Sequence, residues 1–293
     1  MRIAHLIMVH KNAAQVERLL SALRHADADF YIHLDLKANM ADYQHLRALP
    51  QVHFITARIS ARWASFRFVE AIVGSVREVL ASGKPYDFIN LLSGQDYPIK
   101  PIESIHKALS QQVGASFLSV EPEGSPWWQG AIQRVEKYHS VYFEFKGQYQ
   151  LQRLANMLLP KRHFPLPYTL YGSADGSWWT MSAACANYLV RFMDEHPEIR
   201  QFGRFTWGSD EFMIATILMN SPLKETIIND NHRYIDWSAG GANPKLLALD
   251  DADALARSPK WFARKFDVDY DTKILDYVDR MLTKQLHEVP DSH

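Results

Sequence analysis

The chain has 293 residues, a hydrophobic content of 47% and a formal net charge of −1. These values predict a globular protein with a sizeable core, built as one large α/β domain or two small ones, and they exclude a global positive field for nucleic acid. Cys185 is the only cysteine, so the chain contains no internal disulfide, and its apolar surroundings favour a packing role.

The first part of the chain alternates strand and helix patterns. Apolar runs predict strands at residues 3–9, 30–34, 52–55 and 88–92, and periodic stretches predict helices at residues 13–24 and 65–81. This alternation predicts a parallel sheet. The first strand is too short to span a membrane and lacks the layout of a signal peptide, so the expected location is cytoplasmic, with peripheral association with the inner face of a membrane left open.

Polar side chains follow three of these strands. His10 and Lys11 follow the first, Asp35 and Lys37 follow the second, and residues 93–96 follow the fourth. Ligands of open α/β sheets bind at the carboxyl ends of strands, so residues 1–120 are predicted to form a nucleotide-binding half. Neither a G-x-G-x-x-G turn nor a Walker lysine loop is present, which excludes the common dinucleotide and ATP sites.

The second part, residues 121–293, is less regular. A helix at 103–111 and a strand at 115–118 lead into an aromatic region whose organisation the sequence does not predict, followed by a proline-rich loop at 159–170, a glycine turn at 172–177, a strand at 178–181 and a helix at 183–194. The pairs Trp127-Trp128 and Trp178-Trp179 have two interpretations, the floor of a sugar site or part of the core.

Two adjacent carboxylates, Asp210 and Glu211, stand at the start of an apolar helical run within W-G-S-D-E-F-M-I-A-T at residues 207–216. Ser209 is the predicted N-cap of this helix. One interpretation is that the acids only complement the helix dipole, and the other is that they are catalytic. This stretch alone does not distinguish them.

An ordered set of motifs resembles a known family. The set is H-x-D-x-K at 33–37, S-G-Q-D-Y-P-I-K at 93–100, G-S-x-W-W near Ser177, S-D-E-F at 209–212, H-R-Y-I-D-W at 232–237 and F-A-R-K-F-D at 262–267. It resembles the core-2/I-branching N-acetylglucosaminyltransferases and peptide O-xylosyltransferases, glycosyltransferase family 14. The resemblance runs from about residue 3 to about residue 275. Animal members also have a membrane anchor, a stem and several disulfides. The sequence departs from them in these features, which suggests a bacterial catalytic domain.

The resemblance implies a single GT-A type catalytic domain over residues 1–293, with a Rossmann-like, mostly parallel sheet flanked by helices. It also implies a UDP-sugar donor with N-acetylglucosamine or xylose as the sugar, a glycan or other hydroxyl acceptor, inversion at the anomeric carbon and no metal cofactor. Glu211 matches the catalytic base, beside Asp210. Arg233 and Lys265 match the pair that holds the donor diphosphate, with Arg264 as a substitute.

The other predicted site residues lie in the same motifs or beside them. Asp35 lies where uracil recognition is expected, and His10, Lys37 and Asp96 complete the donor side, Asp96 orienting either the donor or the backbone. Trp178 and Trp179 are predicted on the acceptor side. The Asp-x-Asp sequences at 27–29, 251–253 and 267–269 are not placed after a core strand, where a metal bridging carboxylates to phosphate is expected.

The chemistry supports this assignment of Glu211. An inverting transfer needs a carboxylate that deprotonates the acceptor hydroxyl, and a helix N-terminus would keep Glu211 ionised while Asp210 would raise its pKa. Fixed cations can stabilise the leaving diphosphate. Two alternatives remain open: a catalytically inactive module that binds sugar nucleotides or glycans, and a two-carboxylate glycoside hydrolase.

Overall fold

The computed structural model describes residues 1–288. The strands are β1 (Ile3–Val9), β2 (Ala28–Leu34), β3 (Val52–Phe54), β4 (Phe88–Ser93), β5 (Asp96–Pro98), β6 (Ser116–Leu118), β7 (Glu121–Pro122), β8 (Tyr171–Gly172), β9 (Thr180–Ser182), β10 (Ile227–Asn229), β11 (Arg233–Ile235) and β12 (Phe262–Arg264). The α-helices are α1 (Ala13–Ala22), α2 (Phe66–Ala81), α3 (Ile102–Ser110), α4 (Pro126–Ala131), α5 (Gln133–Glu136), α6 (Gln148–Leu158), α7 (Ala183–Glu195), α8 (Pro197–Gly203), α9 (Met213–Met219), α10 (Ala252–Arg257) and α11 (Lys273–Glu288).

The main sheet has the strand order β10-β6-β9-β4-β1-β2-β3. Strands β1, β2, β3 and β4 are parallel to one another, and β10 is parallel to β6. Among the described residues, β9 is the only strand of this sheet that is antiparallel to its neighbours. The predicted mostly parallel sheet flanked by helices is therefore confirmed. Because β9 pairs with β4, the two predicted halves of the chain share one sheet.

Each face of this sheet is covered by a separate hydrophobic core. Every residue of β1 is buried. Ala4, Leu6 and Met8 point into the core formed with α2, α7 and α9, whereas the alternate residues point into the core formed with α1, α3 and α11. Burial on both faces explains why this strand reads as a continuous apolar run, and its bounds match the prediction.

A small second sheet positions residues after β4. Its order is β11-β12-β5, and two residues separate the end of β4 from the start of β5. Strand β12 pairs antiparallel with β5, which places Arg264 opposite Asp96. Two distant motifs of the sequence thereby meet at the carboxyl end of the main sheet.

The predicted start of α9 is wrong. Asp210 and Glu211 lie on a separate 3-10 turn, Ser209–Glu211, and α9 begins only at Met213. Gly208, in the left-handed conformation at φ 62°, precedes the turn, and the Ser209 hydroxyl is buried without a hydrogen-bond partner instead of capping a helix. Phe212 separates the 3-10 turn from α9. Its side chain is fully buried, and its backbone is not in a helical conformation.

The region 121–170 folds into α4, α5 and α6, and residues 159–170 form the predicted irregular loop. Trp128 is buried and packs edge-on against Phe212, so it belongs to the core. Among residues 1–288, no helix is both long enough and apolar enough to cross a membrane.

Candidate active site

A cavity of about 290 Å³ opens at the carboxyl ends of β1, β2 and β4. It brings together many of the residues that the sequence predicts for the site, namely His10, Asp35, Trp178, Asp210, Glu211, Arg264 and Lys265. The position agrees with the expected ligand site of a parallel α/β sheet.

The Glu211 carboxylate faces this cavity and is held by a cation. Its Oε2 accepts a hydrogen bond of 2.5 Å from Arg134 Nη1, and the Arg134 guanidinium lies 4.4 Å from the centre of the Trp207 ring. Burial raises the pKa of Glu211 to about 7, Arg134 opposes that shift, and Asp210 adds to it. Burial therefore outweighs the ion pair, and the pKa comes close to the value that suits a general base at neutral pH.

The neighbouring Asp210 is more deeply enclosed than Glu211. Its Oδ2 accepts a 2.7 Å hydrogen bond from the Ser177 hydroxyl, and its Oδ1 is buried without a partner. Burial also raises the pKa of Asp210. The predicted effect of Asp210 on Glu211 is present, but the predicted helix dipole is not, because the helix begins after both acids.

The glycine turn at 172–177 packs directly against the backbone of the acidic turn. Ser173 N donates to the Glu211 carbonyl at 3.1 Å. A Cβ at Gly172 would lie 2.9 Å from that carbonyl oxygen, and one at Gly176 would lie closer still. Only glycine allows this approach, so the close contact fixes the position of the Glu211 backbone at the cavity wall.

An electropositive corner forms another wall of the cavity. Arg264 is buried, its guanidinium lies 4.0 Å from the centre of the Trp178 ring, and its Nε is 3.3 Å from Asp96 Oδ1. Arg264 Nε and Nη1 have no hydrogen-bond partner. The adjacent Lys265 makes no ion pair among the described residues, and burial, Arg264 and Lys11 lower its pKa. Unsatisfied cationic donors at a cavity wall are suited to an anionic ligand.

His10 and Asp35 contribute differently to the cavity. Burial and the nearby Lys265 lower the pKa of His10, so its ring is neutral at pH 7 and adds hydrogen bonding instead of charge. The Asp35 carboxylate accepts backbone N–H groups from Lys37 and Ala61, both at 2.8 Å, and so ties the end of β2 to the loop before α2. Its role in uracil recognition stays a prediction.

The structure places Arg233 outside this cavity. Arg233 is 3% exposed, and its guanidinium donates to five oxygens: Asn90 Oδ1, Thr180 Oγ1 and the carbonyls of Leu91, Trp179 and Asn231. Burial lowers the pKa of Arg233. These contacts join β4, β9 and the segment before β11, and they engage the guanidinium that the sequence predicts at the donor diphosphate.

Three other predicted site residues also lie away from the cavity lining. Trp179 is fully buried in the core, and β9 begins at Thr180, two residues later than predicted. Lys37 is exposed and lies 3.6 Å from Glu144. Asp96 is buried behind Arg264 and accepts the Ser93 N–H at 2.5 Å, which corresponds to the predicted backbone role.

Other cavity residues were not predicted from the sequence. Arg134 lies in the aromatic region of unpredicted structure, 77 residues from its partner Glu211, and no local pattern links the two. Trp63, 59% exposed, stands at the rim. Trp237 lines the cavity and donates its Nε1–H to Asp175 at 2.8 Å.

Comparison with known proteins decides the family. Residues 3–254 match the family model described as "Branch: Core-2/I-Branching enzyme". The chain belongs to this family. The match covers most of the chain and confirms the resemblance seen in the motifs.

Individual proteins and a solved structure are similar to the chain at low sequence identity. Xylosyltransferase 2 of Rattus norvegicus is 25% identical over 302 residues, which cover 95% of this chain and 33% of that protein. Xylosyltransferase 1 of Homo sapiens is 24% identical, with 96% of this chain and 30% of that protein covered. The chain thus spans about a third of the length of these relatives. The crystal structure of apo mouse xyloside xylosyltransferase 1 aligns with a TM-score of 0.40 and 14% identity over 89% of this chain and 97% of that one.

Proposed function

We propose that this chain is an inverting glycosyltransferase that moves a sugar from a UDP-sugar donor to a hydroxyl of a glycan or other acceptor. N-acetylglucosamine and xylose are the sugars that the family favours. One observation carries the proposal: Glu211, a carboxylate with a pKa of about 7, shares a cavity with two cationic residues. Arg264 has two nitrogens without a hydrogen-bond partner, and Lys265 makes no ion pair among the described residues. A base and an anion site in one cavity are the two groups that the reaction needs.

Glu211 acts as the general base in this proposal. Its carboxylate takes the proton of the acceptor hydroxyl while that oxygen attacks the anomeric carbon from the face opposite the diphosphate, and such help contributes roughly 10²–10⁴-fold. Arg134 is a positioning residue, because its hydrogen bond to Oε2 orients the carboxylate. The other carboxylate oxygen is left to accept the proton.

Arg264 and Lys265 bind the leaving diphosphate in this proposal, and they replace the predicted pair of Arg233 and Lys265. Negative charge accumulates on the diphosphate as the glycosidic bond breaks, and preorganised cations stabilise it electrostatically. Asp96 and the Trp178 ring hold the Arg264 guanidinium in place, so little reorganisation is needed when the donor binds. The exposed face of Trp178 and the rim residue Trp63 offer apolar surfaces to the acceptor.

Lys265→Ala is expected to weaken UDP binding about 10-fold or more while changing uridine binding little, because the ammonium acts on the phosphates alone. Calorimetric titrations of UDP and uridine measure both affinities. Lys260→Ala, which removes a lysine paired with Asp230 at the surface, is the matched control. Equal losses for UDP and uridine would show that Lys265 supports the fold.

Transfer is expected to be independent of divalent metal, since Arg264 and Lys265 already supply positive charge at the proposed diphosphate site. Carboxylates of the three Asp-x-Asp sequences are engaged by basic side chains: Asp29 by Arg2 and Lys84, Asp251 by Lys245, and Asp267 by Lys11. The measurement is UDP release in EDTA and then with added Mn²⁺. Loss of activity in chelator with recovery in Mn²⁺ would contradict the expectation.

A thermal-shift screen of UDP-sugars tests the donor directly, because a ligand at ~100 times its dissociation constant stabilises the folded state by about 2.7 kcal/mol. The stabilising donor is then incubated with candidate acceptors, and the products are analysed by mass spectrometry. A glycosylated acceptor supports transfer. Sugar released from a glycan without UDP-sugar would indicate a hydrolase, and donor binding without turnover on any acceptor would indicate a binding module.

A further inference from the structure

Helix α6 has its polar and apolar faces reversed relative to an ordinary surface helix. Leu151, Leu154, Ala155 and Leu158 follow the i, i+3, i+4, i+7 spacing of one helical face. A helix of this kind normally turns such a face toward the core. Here the three leucines, together with Met157, are 44% to 72% exposed.

The polar face of α6 is the one that contacts the protein. Gln152 Oε1 accepts hydrogen bonds from the N–H and hydroxyl of Ser140 at 2.7 and 2.9 Å. Asn156 exchanges two hydrogen bonds with the backbone of Tyr138, at 2.8 and 2.7 Å. These four bonds fix the rotation of α6, so the outward direction of its leucines is built into the fold and does not result from loose packing.

No described residue covers the apolar face. The exposed leucines and Met157 belong to neither of the two hydrophobic cores. The strip continues into Leu159, which is 50% exposed at the end of the helix, and into Tyr149, which is 61% exposed at its start. We name this surface, formed by residues 149–159, the α6 face.

Basic side chains flank the α6 face. Lys146 and Arg153 are exposed and make no ion pair among the described residues. The nearby acid Glu144 is shared by Lys37 and Arg62, each at 3.6 Å. The surroundings of the face therefore carry a net positive charge, which suits an anionic partner and would repel a second copy of the same face.

The size of the α6 face also argues against a stable protein dimer through this helix alone. An 11-residue helix is about 16 Å long and about 10 Å wide. A stable protein interface needs about 800 Å² on each partner, several times this footprint. A bilayer makes no such demand, because an amphipathic helix lies in the interfacial plane with only its apolar side chains inserted and its basic residues near the headgroups.

We infer that the α6 face docks on the surface of an anionic phospholipid bilayer. The leucines and Met157 enter the boundary between headgroups and acyl chains, and Lys146 and Arg153 contact the lipid phosphates. Tyr149 lines a small depression together with Trp63, and Trp63 also lines the candidate active site. Docking through α6 thus brings the rim of that cavity close to the membrane surface. The inference does not depend on the transfer chemistry.

Co-sedimentation of the purified chain with lipid vesicles tests this inference. We expect binding to vesicles of phosphatidylcholine mixed with phosphatidylserine, little binding to phosphatidylcholine alone, and loss of binding at high salt, because the Debye length falls from about 10 Å at 0.1 M to about 3 Å at 1 M. The double variant Leu154→Ser, Leu158→Ser should bind at least ~10-fold more weakly, since it removes the inserted apolar groups.

Two controls make the result specific to the α6 face. The variant Val113→Ser, Tyr270→Ser removes two apolar side chains of similar exposure elsewhere, 56% and 60%, and should bind like the wild type. All four substitutions are on exposed residues, so melting temperature should not change. Equal binding by the wild type and the leucine variant, equal binding to neutral vesicles, or a dimer in sedimentation velocity that the leucine variant abolishes would each overturn the inference.

Discussion

Glu211→Gln is expected to lower the rate of sugar transfer by roughly 10²–10⁴-fold while UDP affinity stays within a few-fold of wild type. Glutamine keeps the shape of the side chain and can still accept a hydrogen bond from Arg134, but it cannot take a proton from the acceptor. The measurement is steady-state transfer alongside UDP titration. Retention of more than about a tenth of the wild-type rate would rule out Glu211 as the base.

The pH dependence supplies an independent check on Glu211. Because the pKa is about 7, the wild-type rate should fall about tenfold per unit as pH drops below that value, and the residual rate of Glu211→Gln should not show this dependence. Asp210→Asn is the matched control. Its effect should be milder, because Asp210 does not take the proton of the acceptor and acts only by raising the pKa of Glu211.

Glu211→Gln should have opposite effects on stability and on activity: it lowers the transfer rate, but it should stabilise the fold above neutral pH. The folded-state pKa of about 7 lies above the ordinary value of 4.5, so the folded protein holds this proton more tightly than the unfolded chain does. Its contribution is present at low pH and is lost as pH rises from about 4.5 through about 7. Glu211→Gln should therefore raise the melting temperature at about pH 8 relative to wild type. A lower melting temperature there would show misfolding instead of loss of a base.

Arg233→Ala is expected to destabilise the fold by about 3 kcal/mol or more, which corresponds to a fall in melting temperature of roughly 5–10 °C. The substitution leaves up to five buried oxygens without their donor and opens a cavity between β4 and β9. Differential scanning fluorimetry measures the change. Uridine and UDP affinity of the fraction that remains folded should be close to wild type.

Two controls separate the structural role of Arg233 from a phosphate role. Arg233→Lys keeps the charge but loses the planar fork that serves several acceptors at once, so an intermediate loss of stability is expected. Arg191→Ala removes an arginine whose side chain is 67% exposed and should change the melting temperature little. An unchanged melting temperature with weaker UDP binding in Arg233→Ala would restore the diphosphate contact that the sequence predicts.

The sequence predicts most of the sheet because its strands are buried on both faces and read as uninterrupted apolar runs. The predicted bounds of β1 are correct, and His10 after β1 and Asp35 after β2 do meet at one cavity. The predictions fail where the outcome depends on contacts distant in sequence. Arg134 has no local signature, since only the folded chain brings it to Glu211.

The sequence also does not predict which of Arg233 and Arg264 faces the cavity. Both lie among aromatic residues in motifs of the family, and both fall on short strands of the second sheet. Which side chain faces the cavity depends on how these strands pair, and periodicity within three residues does not determine it. The predicted helix start at Ser209 is wrong for a related reason, because the full burial of Phe212 in the core overrides a favourable local N-cap.

The second sheet has a consequence for insertions and deletions. Arg264 reaches the cavity because β12 is paired residue by residue with β5, Ala263 opposite Tyr97 and Arg264 opposite Asp96. Successive residues of a strand point to opposite sides, so adding or removing one residue within β12 would turn Arg264 away from Trp178 and leave the buried Asp96 without its cation. A point substitution along β12 would alter one side chain, whereas a change in length would disrupt the whole electropositive corner. We therefore expect that no insertion or deletion is tolerated between Trp261 and Phe266.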